Sequence, residues 1–409
     1  MIISTFESMV NNKNFRYLLV GNFFGNCAVW LQFVSVGWLT YDLTGSGIQS
    51  MMTVAIRAIP TLLLSPVGGV WADKMSRNKL AAVSQSFTAI TALVFAVALV
   101  LGLVDNVIYI YAYMICTGLG FAVTQPVRQA LIANTVKPDD LGNALALNAM
   151  TVTSMRLLGA VIAGTLIVYV DYQWNFFVET ALYIGMTLLQ IPMKTPFTDK
   201  RTSEVKSVYG DLVSGLGYIG RNTIVLRLMI LNFLRTVVFT PILLLLPYYT
   251  SEALNSEADV GTLMIIMMGL AGVLSSLYIS TFGYVIRKGF IGPLTLIGGG
   301  IVILTLGMSN SVWVSVPIML LLGICQTHFI VSNQTLIQET VTDEYRGRVS
   351  SVWHYEQGLI PLSTLIIGLL AANPLWDIGI SNSLIITGLF TIGLSSILLL
   401  WYKDIARLK

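Results

Sequence analysis

The sequence predicts an all-α membrane protein: twelve transmembrane helices in two pseudo-symmetric six-helix bundles, with both termini cytoplasmic. Three observations predict it. They are the composition, the alternation of charge between successive loops, and a repeat at half the chain length. Of 409 residues, 55% are hydrophobic and only 11% are charged, with a mean hydropathy of +0.78. A soluble domain carries about 25% charged residues, so this chain cannot cover a globular surface with polar groups. It offers instead a series of apolar runs of roughly 20 residues, the length that crosses a hydrocarbon core as a helix.

The runs fall at about 15–40, 47–72, 79–103, 107–131, 142–168, 174–193, 224–249, 258–282, 289–309, 312–338, 348–371 and 381–402. The first is too long for a signal peptide and reads as a retained span. Connections after odd-numbered runs carry Asp42, Asp105, Asp171, Glu252, Glu257, Asp259 and Asp377, and no Lys or Arg. The other connections and both termini hold basic residues such as Lys13, Arg16, Lys74, Arg77, Lys137, Lys200, Arg287, Arg346 and Lys409. Positive charge stays in the cytoplasm, which sets the orientation. The long polar connection contains "SVYGDLVSGLGYIGRN", where Tyr209, Leu212, Leu216 and Ile219 recur near helical spacing. It reads as an amphipathic helix lying along the membrane. The organisation is therefore a bundle over 1–194, a cytoplasmic linker over 195–223 and a second bundle over 224–409.

The repeat supports this division. "QALIANTVKPDDLG" at 129–142 aligns without gaps to "QTLIQETVTDEYRG" at 334–347, matching at Gln, Leu, Ile, Thr, Val and Gly. Each segment follows the fourth span of its half. Two six-helix halves in parallel repeat imply alternating access around a central site.

No G-x-x-x-x-G-K-[ST] phosphate loop occurs, so gradients rather than ATP drive the expected transport. Cys27, Cys116 and Cys325 each lie inside an apolar run, which points to neither a disulfide framework nor a metal site. No cofactor, metal or nucleic-acid partner is expected. The expected partners are a small-molecule substrate, protons and the lipid bilayer, with the chain acting as a monomer.

Gly69, Asp73, Lys74, Ser76, Arg77 and Lys79, between spans two and three, resemble the G-x-x-x-D-R-x-G-R-K signature of the major facilitator superfamily. Lys74 and Ser76 depart from it, as does Asn78 before Lys79. "NFRYLLVGNFFGN", "GWLTYDLTGS", "AIRAIPTLLLSPVGGVWAD", "QPVRQALI" and "YRGRVSSV" resemble its enterobactin-exporter-like branch, which also holds macrolide and other drug exporters. The resemblance implies a non-enzymatic exporter in the bacterial inner (plasma) membrane, driven by inward proton flow, with a siderophore, drug or similar amphipathic cargo. Uptake by symport or uniport is the alternative within transporters. A receptor or an intramembrane enzyme is the alternative outside them, and neither a signalling domain nor an H-E-x-x-H pattern supports it.

Ionisable and amide groups inside spans are costly and so mark candidate sites. Glu179, His328, His354 and Glu356 are the proton-coupling candidates, because burial and water access tune carboxyl and imidazole groups. Span ten lines the cavity in the superfamily, which favours His328. Arg57, Arg156 and Arg235 lie deep in spans two, five and seven, where they hold either an anionic substrate or a carboxylate; a carbonyl freed by Pro60 is a second partner for Arg57. Asn22, Asn26 and Gln32 in span one either bond substrate or join helices. Arg128 and Arg227 lie near cytoplasmic ends, where long cations snorkel. A cytoplasmic gate is expected from Gly69, Asp73, Lys74, Arg77, Glu339, Arg346 and Arg348. In it Asp73 caps the start of span eleven, worth ~0.3–2 kcal/mol.

The orientation is testable by single-cysteine labelling of intact cells with an impermeant maleimide. Positions 42, 105, 171, 257 and 377 should react, and positions 200 and 346 should be spared. The opposite pattern would reverse the assigned topology.

Overall fold

A computed structural model describes residues 7–137, 140–195, 208–282, 288–342, 345, 349, 352, 359–372 and 378–401. Among these residues fourteen helices follow one another: α1 Glu7–Asn11, α2 Lys13–Thr44, α3 Gly47–Lys74, α4 Arg77–Val100, α5 Val107–Thr135, α6 Leu141–Tyr169 and α7 Tyr172–Gln190, then α8 Val208–Arg221, α9 Thr223–Glu252, α10 Ala258–Phe282, α11 Lys288–Met308, α12 Val312–Thr340, α13 Leu359–Ala372 and α14 Gly379–Trp401. Nine of them contain stretches long and apolar enough to cross a membrane.

Helix ends are set by local chemistry. Asn106 accepts from the Ile108 N–H at 3.0 Å and starts α5. Asn222 accepts from the Val225 N–H at 3.2 Å and starts α9. Both satisfy N–H groups that have no partner in the first turn. Gly45 closes α2 in the left-handed region (φ 61°), with its N–H on the Tyr41 carbonyl; a side chain there would be strained.

The chain folds into two compact units. Met1–Gly45 with Thr53–Val205 forms the first, and Ser46–Met52 with Lys206–Lys409 forms the second. Inside the first, α4 packs on α7 and α5, and α2 packs on α5, α6 and α7. Inside the second, α11 packs on α14 and α12, and α9 packs on α12, α13 and α14. The same pairing of helices thus occurs in each unit.

The helices are apolar outward, the reverse of a soluble bundle. On α4, Val83, Phe87, Ile90, Val94 and Val97 form an exposed stripe, with Val83 at 68% and Ile90 at 61% exposure. The opposite face buries Ala81, Ser84, Gln85, Thr88, Ala89 and Ala92. Small and weakly polar residues let helices approach closely where lipid supplies no hydrophobic drive for association. Two apolar layers close the first unit at its ends. One joins Phe15, Leu18, Leu131 and Ile132, and the other joins Val36, Phe95, Ile110 and Phe176. Between them lies a thin layer of Ala28, Ala89 and Tyr183.

The linker helix α8 buries Ile219 at 5% exposure and leaves Leu216, one turn before it, exposed. The side chains of Tyr209 and Leu212 lie outside the described residues. Tyr218 stacks on Tyr345 with ring centroids 4.5 Å apart, and its hydroxyl accepts from the Thr342 N–H at 3.4 Å. The linker is thereby tied to the turn after α12.

Helices pack closely where α6 crosses α2. A Cβ on Gly159 would stand 2.8 Å from the Cys27 carbonyl oxygen and 2.9 Å from the Trp30 Cβ. Backbone on that scale cannot yield without separating the helices. Gly159→Ala should therefore destabilise the fold by about 1–3 kcal/mol, seen as a lower melting midpoint in detergent. Gly393→Ala, where a Cβ meets nothing within 4 Å, should leave the midpoint in place.

Candidate functional site

The polar groups of the first unit converge between its two apolar layers. Glu179 on α7 is fully buried. Gln32 of α2 donates from Nε2 to one carboxylate oxygen at 2.9 Å, and Tyr113 of α5 donates from its hydroxyl to the other at 2.6 Å. The Gln32 amide also donates to the Tyr113 oxygen at 2.6 Å. Three helices are joined at one carboxylate. Rings hold the tyrosine in place. Phe95 stacks on it at 4.3 Å, and Phe176 meets both edge-on, at 4.8 Å from Phe95 and 5.4 Å from Tyr113.

Arg57 of α3 is 4% exposed. Its guanidinium lies over Phe33 at 4.9 Å and over Phe121 at 4.7 Å. A desolvated cation gains from such faces. Its charge acts on Glu179 and on Tyr183. The carbonyl of Arg57 is taken by the Thr61 hydroxyl at 3.1 Å.

Arg128 is corrected by the structure. It does not snorkel to a helix end but turns inward at 7% exposure. Its Nε donates to Asn22 Oδ1 at 2.9 Å, and its Nη2 donates to Asn26 Oδ1 at 3.2 Å. Asn22 donates onward to Asn148 at 2.7 Å, and Asn26 to the Thr151 hydroxyl at 3.2 Å. The inward turn follows from the acceptors that α2 offers at two positions one helical turn apart.

The other candidates do not join this cluster. Arg156 sits over Trp30 at 4.8 Å. In the second unit, Arg235 donates to the Thr236 hydroxyl at 2.7 Å and lies 6.0 Å from the Phe329 ring centre. His328 Nδ1 lies 3.1 Å from the Ile324 carbonyl oxygen, in its own helix. Arg77 donates to Asn134 at 2.5 Å, tying the α3–α4 turn to the end of α5. Glu339 is exposed. Arg346, Arg348, His354 and Glu356 lie outside the described residues, as do the side chains of Asp73 and Lys74 and the surroundings of Gly69.

Gln85, Tyr113 and Tyr183 enter the cluster without having been singled out from the sequence. The available signal was a glutamine two turns into span three, between Ser84 and Ser86. Tyrosines in apolar runs carry no such signal. Among the described residues no group of three or more His, Cys, Asp or Glu side chains is arranged to hold a metal.

Residues 3–403 match the transmembrane secretion effector family. The chain belongs to that family. This makes it a multi-pass membrane transporter of the major facilitator superfamily, and not an enzyme. It is 24% identical over 380 residues to the staphyloferrin A transporter of Staphylococcus aureus (strain NCTC 8325 / PS 47), covering 90% of this chain and 91% of that one. It is 22% identical over 259 residues to a Na(+), Li(+), K(+)/H(+) antiporter of Planococcus maritimus, covering 60% and 59%. Its fold matches a bacterial homologue of the human lysosomal transporter Spinster, crystallised inward-facing and unoccupied, with a TM-score of 0.73 at 12% identity over 96% of this chain and 97% of that one.

In this transmembrane secretion effector, the Tyr113 hydroxyl is a buried donor to a buried acid. Tyr113→Phe removes that bond and keeps the ring. It should cost about 1–3 kcal/mol, the penalty of leaving a buried acceptor unmet. The check is the melting midpoint of purified protein. A midpoint equal to wild type would show that the bond contributes nothing.

Proposed function

We propose that the chain is a proton-coupled exporter of a siderophore, drug or similar amphipathic solute, working by alternating access, with Glu179 as the group that takes up and releases the proton. The observation that carries this reading is the burial of Glu179 beside Arg57, with Gln32 and Tyr113 on its two oxygens. A carboxyl in such a place changes charge only when its surroundings change. Rearrangement of α2 or α5 alters its donors, so protonation and conformation are linked. Two relatives support the reading: one transports a siderophore, and the other is an antiporter that exchanges cations for protons. The reading keeps twelve spans, cytoplasmic termini, two six-helix halves and a monomer in the inner membrane. It keeps Asp73, Arg77 and Glu339 as parts of the cytoplasmic gate.

His328 lies on α12, of the second unit, and half-exposed; it serves as the comparison. In everted vesicles energised by a proton gradient, wild-type chain should accumulate a carboxylate siderophore or a fluorescent drug. Glu179→Gln should abolish gradient-driven accumulation while counterflow exchange persists. His328→Ala should leave both in place. Full accumulation by Glu179→Gln would remove Glu179 from the coupling. Loss of accumulation only in His328→Ala would transfer the role to α12. Accumulation by wild-type chain from the opposite side would favour uptake over export.

A further inference from the structure

Beside the Glu179 network the first unit contains a cleft with donors that no protein group meets. It is lined by Gln85, Thr88, Phe121, Arg128 and Tyr183, among others. Gln85 is 1% exposed, and neither its amide nitrogen nor its amide oxygen has a hydrogen-bond partner. Arg57, whose guanidinium lies on the face of Phe121, has an unpartnered Nη1. Arg128 spends Nε and Nη2 on asparagine oxygens and lines the same space. Tyr183 is 6% exposed and lies in the fields of both arginines.

Buried polar atoms are normally satisfied, and each exception calls for a partner. Here the unmet atoms are Gln85 Nε2, Gln85 Oε1 and Arg57 Nη1, two donors and one acceptor. Among the described residues of the first unit the buried charged side chains are Arg57, Arg128 and one carboxylate, Glu179, which is already bonded to Gln32 and Tyr113. Asn22 and Asn26 give Arg128 dipoles but no counter-charge. Burying a cation without a counter-charge is costly, and the free space is small, about that of one water-sized species.

We propose that this cleft is a binding site for one small monovalent anionic group, held by Arg128, the Gln85 amide N–H and the Tyr183 hydroxyl. The group is either an inorganic anion of chloride size or a single carboxylate oxygen of the cargo. Either one supplies the missing charge and accepts the unmet donors. The site is separate from the acid on Glu179, since it uses a different set of donors.

The test uses the purified full chain in lipid nanodiscs. Its melting midpoint is followed against sodium chloride and against sodium formate, at constant ionic strength balanced with sodium gluconate, which is too large for the cleft. A saturable rise is expected. Gln85→Leu and Tyr183→Phe should each weaken the apparent affinity about tenfold, the loss of one hydrogen bond to a charge. A response that is linear or missing in wild type overturns the site. So does an affinity unchanged in both variants. A saturable rise equal in wild type and in both variants means an adventitious ion only. A vesicle arm separates the two sources and rests on the transport reading above. Replacing chloride by gluconate slows transport if the site needs an inorganic anion, and speeds it if chloride competes with a cargo carboxylate. The nanodisc readings stand whether or not transport is proton-driven, so the two readings can fail separately.

Discussion

A carboxylate deep in an apolar bundle must be met by donors from its own chain, because neither lipid nor bulk water reaches it. Much of the first unit is arranged around that demand. Gln32 is fully buried although it lies in an apolar span, and its amide serves both Glu179 and Tyr113. Phe95 and Phe176 pack the tyrosine ring so that its hydroxyl points at the acid. Helices α2, α5 and α7 are thereby joined by hydrogen bonds as well as by packing. In a bundle whose outward faces are apolar, such links set which faces turn inward.

The second cation, Arg128, is treated differently. It gets oxygen dipoles from Asn22 and Asn26 instead of a charge. Dipoles satisfy the geometry of a guanidinium but not its charge. The side-chain partners of Arg128 are therefore neutral. Acid and cation occupy one unit but answer to separate partners, Gln32 and Tyr113 for Glu179, and Asn22 and Asn26 for Arg128.

The two units follow one pattern of helix pairing while differing in what they enclose. The described part of the second unit holds a neutral network in which the Tyr249 hydroxyl donates to the Leu306 carbonyl at 2.9 Å and lies 2.8 Å from the Ser315 hydroxyl. Arg235 meets a threonine and an aromatic face there. A duplicated architecture has thus come to carry its buried acid–cation chemistry, among the described residues, in the first copy.

The sequence by itself determined the membrane class and the location of the helices. The run read over 258–282 is the helix Ala258–Phe282, and the run over 312–338 is Val312–Thr340, because long apolar stretches end where Asn, Asp, Gly or Ser begins. It also marked Arg57, Gln32 and Glu179 as residues that need partners, since residue type and depth in a span are enough to show that a group is costly to bury unmet. Only the tertiary structure decided which of them meet. Gln32 and Glu179 are 147 residues apart, and Arg128 and Asn22 are 106 apart; no local period links such pairs. Tyr113, Tyr183 and Gln85 entered the site for the same reason. Their side chains are ordinary until helix packing sets them beside a charge, and the energy of a charge depends on what packing places within a few ångströms of it.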